Sequence, residues 1–234
     1  AQNIAGQPPF KANSCTGNAK AGGQVIVGPA PASIGGTVLP ANAKLVYVAD
    51  SASKSIAVVR YIFNPGVAGT AGNISSPLAM QISNPTFVGG GSGGGRSVGI
   101  ALAPNGSDLY VGYLKSGDIM RVTGAMTTTL AIPPQAKVGN TSDGKGVNAV
   151  VMFGNDLYIA EIGGLGLSKI PDPSGLTRAA CTAAAPCAAV SSSPQASFFP
   201  GGLATDGTYI YIGHAPLTAP HSILRYNPAD GSVV

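Results

Sequence analysis

Gly99-Ile-Ala-Leu-Ala-Pro-Asn-Gly-Ser-Asp-Leu-Tyr-Val111 is two apolar runs of strand length hinged on a Pro-Asn-Gly-Ser turn. Asn-Gly between such runs is among the strongest short signals for a β-hairpin. Its second run, Leu109-Tyr110-Val111-Gly112-Tyr113, has three counterparts: Leu45-Val46-Tyr47-Val48-Ala49, Leu157-Tyr158-Ile159-Ala160-Glu161 and Ile210-Tyr211-Ile212-Gly213-His214. A lone cation follows each repeat Tyr by 11 to 14 residues, in Arg60-Tyr61, Arg121-Val122, Lys169-Ile170 and Arg225-Tyr226. A repeat of this size marks an array of one supersecondary unit.

Working outward, each unit is a run, a turn, the Tyr run, a second turn and a run ending near the cation. The turns are Pro104 to Ser107, Gly154-Asn155 and Asp206-Gly207. Asp172-Pro-Ser-Gly175 and Asn227-Pro-Ala-Asp-Gly231 follow the third and fourth units. Gly (34) and Pro (19) sit between the periodic runs and read as turn punctuation. The period is two almost throughout, and no amphipathic helix stands out. Ala179 to Ala189 is Ala-rich, but Pro186 and two Cys make it a loop.

The expectation is an all-β chain: a β-propeller of four-stranded antiparallel blades, with four to five blades visible in residues 25–234. Residues 1–24 read as an extended N-terminal arm. Residues 64–97 read as a long insertion around the glycine run Gly89 to Gly95. That run lacks the order of a phosphate-binding loop and reads as a plain flexible loop.

The strings Gly99 to Val111 and Gly201-Gly-Leu-Ala-Thr-Asp-Gly-Thr-Tyr-Ile-Tyr-Ile212 resemble blades of the NHL/YVTN type. The resemblance is moderately specific for fold and says little about activity. It implies an inner strand of the Gly-Ile-Ala-Leu type, whose Gly lets backbones approach near the channel. It puts the Tyr strand second, packed between blades, and the cation on the third strand at a blade edge. Propellers of this type mostly close with six or seven blades. The chain is therefore expected to continue past Val234, where an outer strand would begin.

Charged residues are only 9% of the chain, with 13 cations against 9 anions scattered singly. No basic run exists to track a phosphate backbone, so a nucleic-acid partner is not expected. No segment reaches the ~20 apolar residues of a membrane helix. The opening Ala1-Gln2-Asn3 suits a mature end left after signal-peptide cleavage, and the expected location is periplasmic or secreted. Cys181 and Cys187 bracket a small-residue loop and are expected to form a disulfide, with Cys15 left over. Asn73-Ile-Ser75 and Asn140-Thr-Ser142 match the glycosylation pattern, which is common by chance.

The position three after each repeat Tyr carries Asp50, Tyr113, Glu161 and His214. Equivalent positions recur at similar radius around a propeller. With Asn148 on an inner strand, Asp50, Glu161 and His214 are a candidate set for a divalent metal such as Ca or Zn. Propellers of the SMP-30/gluconolactonase type, a distant resemblance, place Glu, Asn and Asp around a central metal. Only Asn148 among the matching inner-strand positions here is a ligand type. His214 and His221 flank a loop with two prolines and are the only histidines. Two readings stay open. The first is a non-catalytic extracytoplasmic propeller, without a cofactor, that serves a protein partner as an interaction or scaffold subunit, in company with redox proteins on one version. The alternative is a metal-dependent lactonase or esterase acting at the central channel.

Overall fold

A computed structural model of the chain describes residues 24–49, 58–64, 73–80, 97–114, 117–130, 133–141, 146–161, 166–175, 200–214 and 221–233. The strands in chain order are β1 (Val25–Pro29), β2 (Ser33–Ile34), β3 (Thr37–Val38), β4 (Lys44–Ala49), β5 (Val58–Asn64), β6 (Asn73–Met80), β7 (Ser97–Leu102) and β8 (Leu109–Tyr113). They continue with β9 (Asp118–Val122), β10 (Gln135–Asn140), β11 (Val147–Phe153), β12 (Asp156–Glu161), β13 (Leu167–Ile170), β14 (Pro200–Thr205), β15 (Ile210–His214) and β16 (Ser222–Tyr226). One 3-10 turn, Pro173–Gly175, is the sole helical element among the described residues. None of them forms a helix long and apolar enough to cross a membrane.

The strands pair antiparallel into four main sheets, ordered β1-β4-β5-β6, β7-β8-β9-β10, β11-β12-β13 and β14-β15-β16, with β2-β3 a separate small hairpin. The repeat Tyr strands β4, β8, β12 and β15 are second from the inner edge in every sheet. The opening hairpin closes as its sequence requires: Ala103 N donates to Asp108 O at 2.9 Å, and Gly106 N to Ala103 O at 2.8 Å. Gly106 sits at φ +67°, a conformation that side-chain-bearing residues rarely adopt.

Three apolar clusters join successive sheets. Tyr47, Leu45 and Val58 of the first pack on Ile100, Leu109, Val111 and Met120 of the second. Ala101, Tyr110 and Ile119 of the second meet Val150, Leu157 and Ile159 of the third. Tyr158, Ala160 and Leu167 of the third meet Leu203, Ile210 and Tyr226 of the fourth. Alternate residues of β8 and β12 thus enter different clusters, so both faces of these strands are covered. Continuous apolar runs are what such burial demands. The sheets stack face to face in chain order as β-propeller blades.

The inner strands lie close. A Cβ on Gly99 of β7 would stand 2.9 Å from Val150 N and 3.0 Å from Ala149 C of β11, so a methyl there would force the backbones apart. At the axis, Gln24 links all four sheets. Its carbonyl accepts from Ala49 N at 3.0 Å, extending the first sheet. Its Oε1 accepts from Ile100 N of the second sheet and Val150 N of the third, both at 3.0 Å. Its Nε2 donates to Leu203 O of the fourth at 3.4 Å.

Residues 64–97 are not simply an insertion, because they contain β6 as the outer strand of the first sheet. Its Pro77 masked the pattern, and edge strands tolerate Pro. The second sheet likewise gains an outer strand, β10, bulged between Lys137 and Gly139. Residues 1–23 and the run Gly89 to Gly95 lie outside the described residues.

Gln24→Leu keeps the size of the side chain and removes its polar atoms. It leaves two inward-facing amides without acceptors, at about 1–3 kcal/mol each. Urea denaturation is expected to show a loss of about 2–5 kcal/mol, with Gly99→Ala destabilising by a separate route through backbone overlap.

Candidate functional site

The repeat Tyr and the repeat cation meet across β-strands in every sheet. The pairs in register are Tyr47 with Arg60, Tyr110 with Arg121, Tyr158 with Lys169 and Tyr211 with Arg225. Residues directly opposite across an antiparallel pair share a face. In the first three sheets that face is the one packed on the following sheet, so one Tyr–cation pair stands at each of the three junctions.

Their surroundings differ. Arg60 is 1% exposed, not at a solvent edge as its sequence position implied. Its Nη1 donates to Ala125 O and its Nη2 to Thr128 O, both in the turn after β9 of the next sheet. Burial holds this guanidinium below its ordinary range, opposed by the neighbouring Tyr47 phenol. At the third junction Tyr158 lies 6.1 Å from the Tyr226 ring, and Lys169 pairs with Asp156 at 3.1 Å. On the fourth sheet Arg225 is exposed and stacks 4.6 Å from the Tyr209 ring, while Tyr211 donates to Asp206 at 2.8 Å. The Asp206 carboxyl is held below the usual range by the Tyr209 and Thr208 amides and by that phenol.

The structure describes three of the candidate metal ligands. Asn148 on β11 donates from Nδ2 to Gly201 O at 2.8 Å, tying two inner strands together. Glu161, 1% exposed at the end of β12, accepts from Ser168 Oγ on β13. His214, 7% exposed at the end of β15, has Nδ1 3.4 Å from Ser222 Oγ. Tyr113 occupies the same repeat position in the second sheet, its phenol pushed up by burial and then by Asp118. Asp118 is itself buried and paired with Lys137 at 2.6 Å. Asp50 lies outside the described residues, as do Cys15, Cys181, Cys187 and the loop 215–220. Among the described residues no group of three or more His, Cys, Asp or Glu is gathered to hold a metal ion. His221 is exposed.

Two important residues escaped the sequence reading. Gln24 was grouped with the N-terminal arm, although a polar residue directly before the Val25-Ile-Val27 run was a signal that it borders a strand. Arg60 carried the signal of the repeat, and only its burial was missed.

No protein-family model matches the chain, and no curated protein matches it in sequence. Solved structures do share its shape. A chain of hydrazine synthase from Kuenenia stuttgartiensis superposes with TM-score 0.47 at 14% identity, covering 81% of this chain and 44% of that one. A chain of a nidogen/laminin complex gives TM-score 0.45 at 13% identity, with 81% and 57% covered. A protein of unknown function from Bacteroides thetaiotaomicron gives TM-score 0.49 at 14% identity, with 81% and 44% covered. The chain thus spans about half the length of these proteins. They are β-propeller proteins, and at this level of similarity the likeness concerns shape and carries nothing about activity.

Two outcomes follow for the Tyr–cation frame. Arg60→Lys removes a planar fork that reaches two carbonyls, and is expected to cost about 2–3 kcal/mol in chemical denaturation. Lys169→Ala, at a half-exposed pair, is expected to cost under about 1 kcal/mol. The second outcome concerns alkali. Burial, as the largest cause, pushes Tyr47, Tyr110 and Tyr158 up to about 12. In the unfolded chain such phenols titrate near 10, so above that pH the folded state holds more protons and stability falls as pH rises towards 12. With eight Tyr and no Trp, phenolate absorbance should rise in two phases, the later one coincident with loss of the circular-dichroism signal.

Proposed function

We propose that this chain is a non-catalytic, extracytoplasmic β-propeller that offers its sheet faces to a protein partner as an interaction or scaffold subunit. One observation carries the reading: the outward faces of the first and fourth sheets leave uncovered the kind of residue that the three junctions bury. On the first sheet Val25 and Val27 are 57% and 62% exposed, paired with Val48 and Val46 on the same face. On the fourth, Ile223 is 74% exposed, two residues from exposed Arg225. Exposed apolar sheet surface of this sort is what another protein surface covers, a partner or a further blade of the same propeller. A chain with 9% charged residues has little surface charge to discourage such contact.

The NHL/YVTN type of blade, the disulfide between Cys181 and Cys187, and a periplasmic or secreted location belong to the same proposal. They rest on the repeat strings, the cysteine spacing and the low charge.

The test is size-exclusion chromatography with light scattering over a range of protein concentrations, on the protein alone and after affinity capture from the extract of its source, with wild type, Val27→Glu and Ile223→Glu. Expected is a complex larger than the monomer, lost in one or both variants while their thermal melts stay unchanged. A monomer under all conditions would sink the reading. Stoichiometric Ca or Zn in the purified protein, together with hydrolysis of lactones or esters, would establish the metal-dependent enzyme instead.

A further inference from the structure

Each junction buries one matched pair of aliphatic residues. Two positions after the repeat Tyr, the strand register sets Ala49 against Val58, Gly112 against Ile119, Ala160 against Leu167 and Gly213 against Ile223. Val58, Ile119 and Leu167 are fully buried, each in the apolar cluster shared with the following sheet. On the opposite face, the residue directly after the Tyr pairs with the inner strand: Val48 with Val25, Val111 with Ile100, Ile159 with Val150 and Ile212 with Leu203. Ile100, Val150 and Leu203 are buried in the same three clusters. Successive junctions therefore match Val58 with Ile100, Ile119 with Val150 and Leu167 with Leu203.

Two members of this series are left over. Ile223 on the fourth sheet is 74% exposed, and Val25 on the first is 57% exposed. Ile223 lies on the face that in the other three sheets meets the following sheet, and Val25 on the face that elsewhere meets the preceding one. Their neighbours continue the series. Val46, directly before Tyr47, stands half-buried where Leu109, Leu157 and Ile210 are fully buried. Tyr211 and Arg225 repeat the Tyr–cation pair that each following face carries. The first and fourth sheets of one copy do not cover each other, since both faces are open. The chain thus ends in the two unmated halves of a fourth junction.

We propose that a second copy of this chain supplies the missing half: the first sheet of one copy seats on the fourth sheet of another, and Val25 of one meets Ile223 of the other as Ile100 meets Val58. This contact rests on the interaction reading and names the partner. It continues the three internal junctions with the same strand positions, and a single chain carries both of its halves. An aliphatic centre with a tyrosine and an arginine beside it is the composition that carries binding energy in protein interfaces. The contact is head to tail, so it repeats from copy to copy until a ring closes.

The test is light scattering on the purified chain alone, from micromolar to millimolar concentration, with wild type, Val25→Glu, Ile223→Glu and an equal mixture of the two variants. Circular dichroism checks that each variant folds as wild type does, and Val25→Ser and Ile223→Ser replace any that does not. Expected for wild type is a mass that is a whole multiple of the monomer. Each variant buries an unpaired charge and should self-associate at least about tenfold more weakly. The mixture should recover a pair made of one copy of each, because the intact fourth sheet of the Val25→Glu copy still fits the intact first sheet of the Ile223→Glu copy. The proposal is overturned by a wild-type monomer at millimolar concentration, by either variant assembling as wild type does, which marks a contact between like faces, or by a mixture that stays monomeric. A purified monomer that captures a different protein through these faces overturns the self-pairing and leaves the interaction reading standing.

Discussion

Every blade of a stacked-sheet ring has the same weakness at its inner edge. The innermost strand pairs on one side only, and its other side turns backbone amides inward, where each needs an acceptor. Gln24 meets this need with one carboxamide. Its oxygen takes the Ile100 and Val150 amides, and its nitrogen reaches the Leu203 carbonyl. An amide suits the position because it carries acceptor and donor together without charge. A carboxylate would accept the same two amides but would face Leu203 O with another acceptor. Since the contacts to the Ile100 and Val150 amides are short and directional, they also set the distance between those inner strands, and Gly99 permits that distance by having no Cβ.

Once the inner strands are fixed, the separation of the sheets further out follows, and the three apolar clusters have a constant gap to fill. The Tyr–cation pair stands in that gap. Its frame is invariant because strand pairing sets it, whereas what it meets depends on the turn after the third strand of the next sheet. A turn that leans in brings two carbonyls to the Nη atoms of Arg60. A tyrosine, Tyr226, meets Tyr158. The turn holding Asp172 leaves space. Diversity among the junctions therefore arises in short turns while the strands stay alike, which is the usual division between scaffold and site.

What the sequence disclosed matches the range over which each interaction acts. The four Tyr strands and their hairpins were legible because turn residues and apolar runs act within a few positions, as Asn105-Gly106 and Gly154-Asn155 do. The outer strands β6 and β10 were not, because an edge strand is half-solvated and admits Pro77, Lys137 and Gly139 without penalty. Burial of Arg60 depends on carbonyls 65 and 68 positions away. The Gln24 contacts span 76, 126 and 179 positions. No local pattern encodes such pairings. The surroundings of Glu161 and His214 show the same limit. Repetition correctly placed Glu161 and His214 at matching strand ends, but it could not show that Ser168 and Ser222 stand beside them.

The choice of cation at each junction follows from dielectric and shape. Arg60 is buried, and two carbonyl dipoles and the Tyr47 phenol stand in for its hydration. Only a delocalised, weakly hydrated group with a planar fork does this at tolerable cost. Lys169 is a compact, strongly hydrated charge and sits 28% exposed beside Asp156, where water still shares the work. Burying an ammonium at the first junction would strip that hydration and offer carbonyls in a geometry it cannot match. In a chain so poor in charge, the few cations are therefore placed by what each junction can solvate, and the same repeat position accepts Arg or Lys only according to how far its neighbour closes over it.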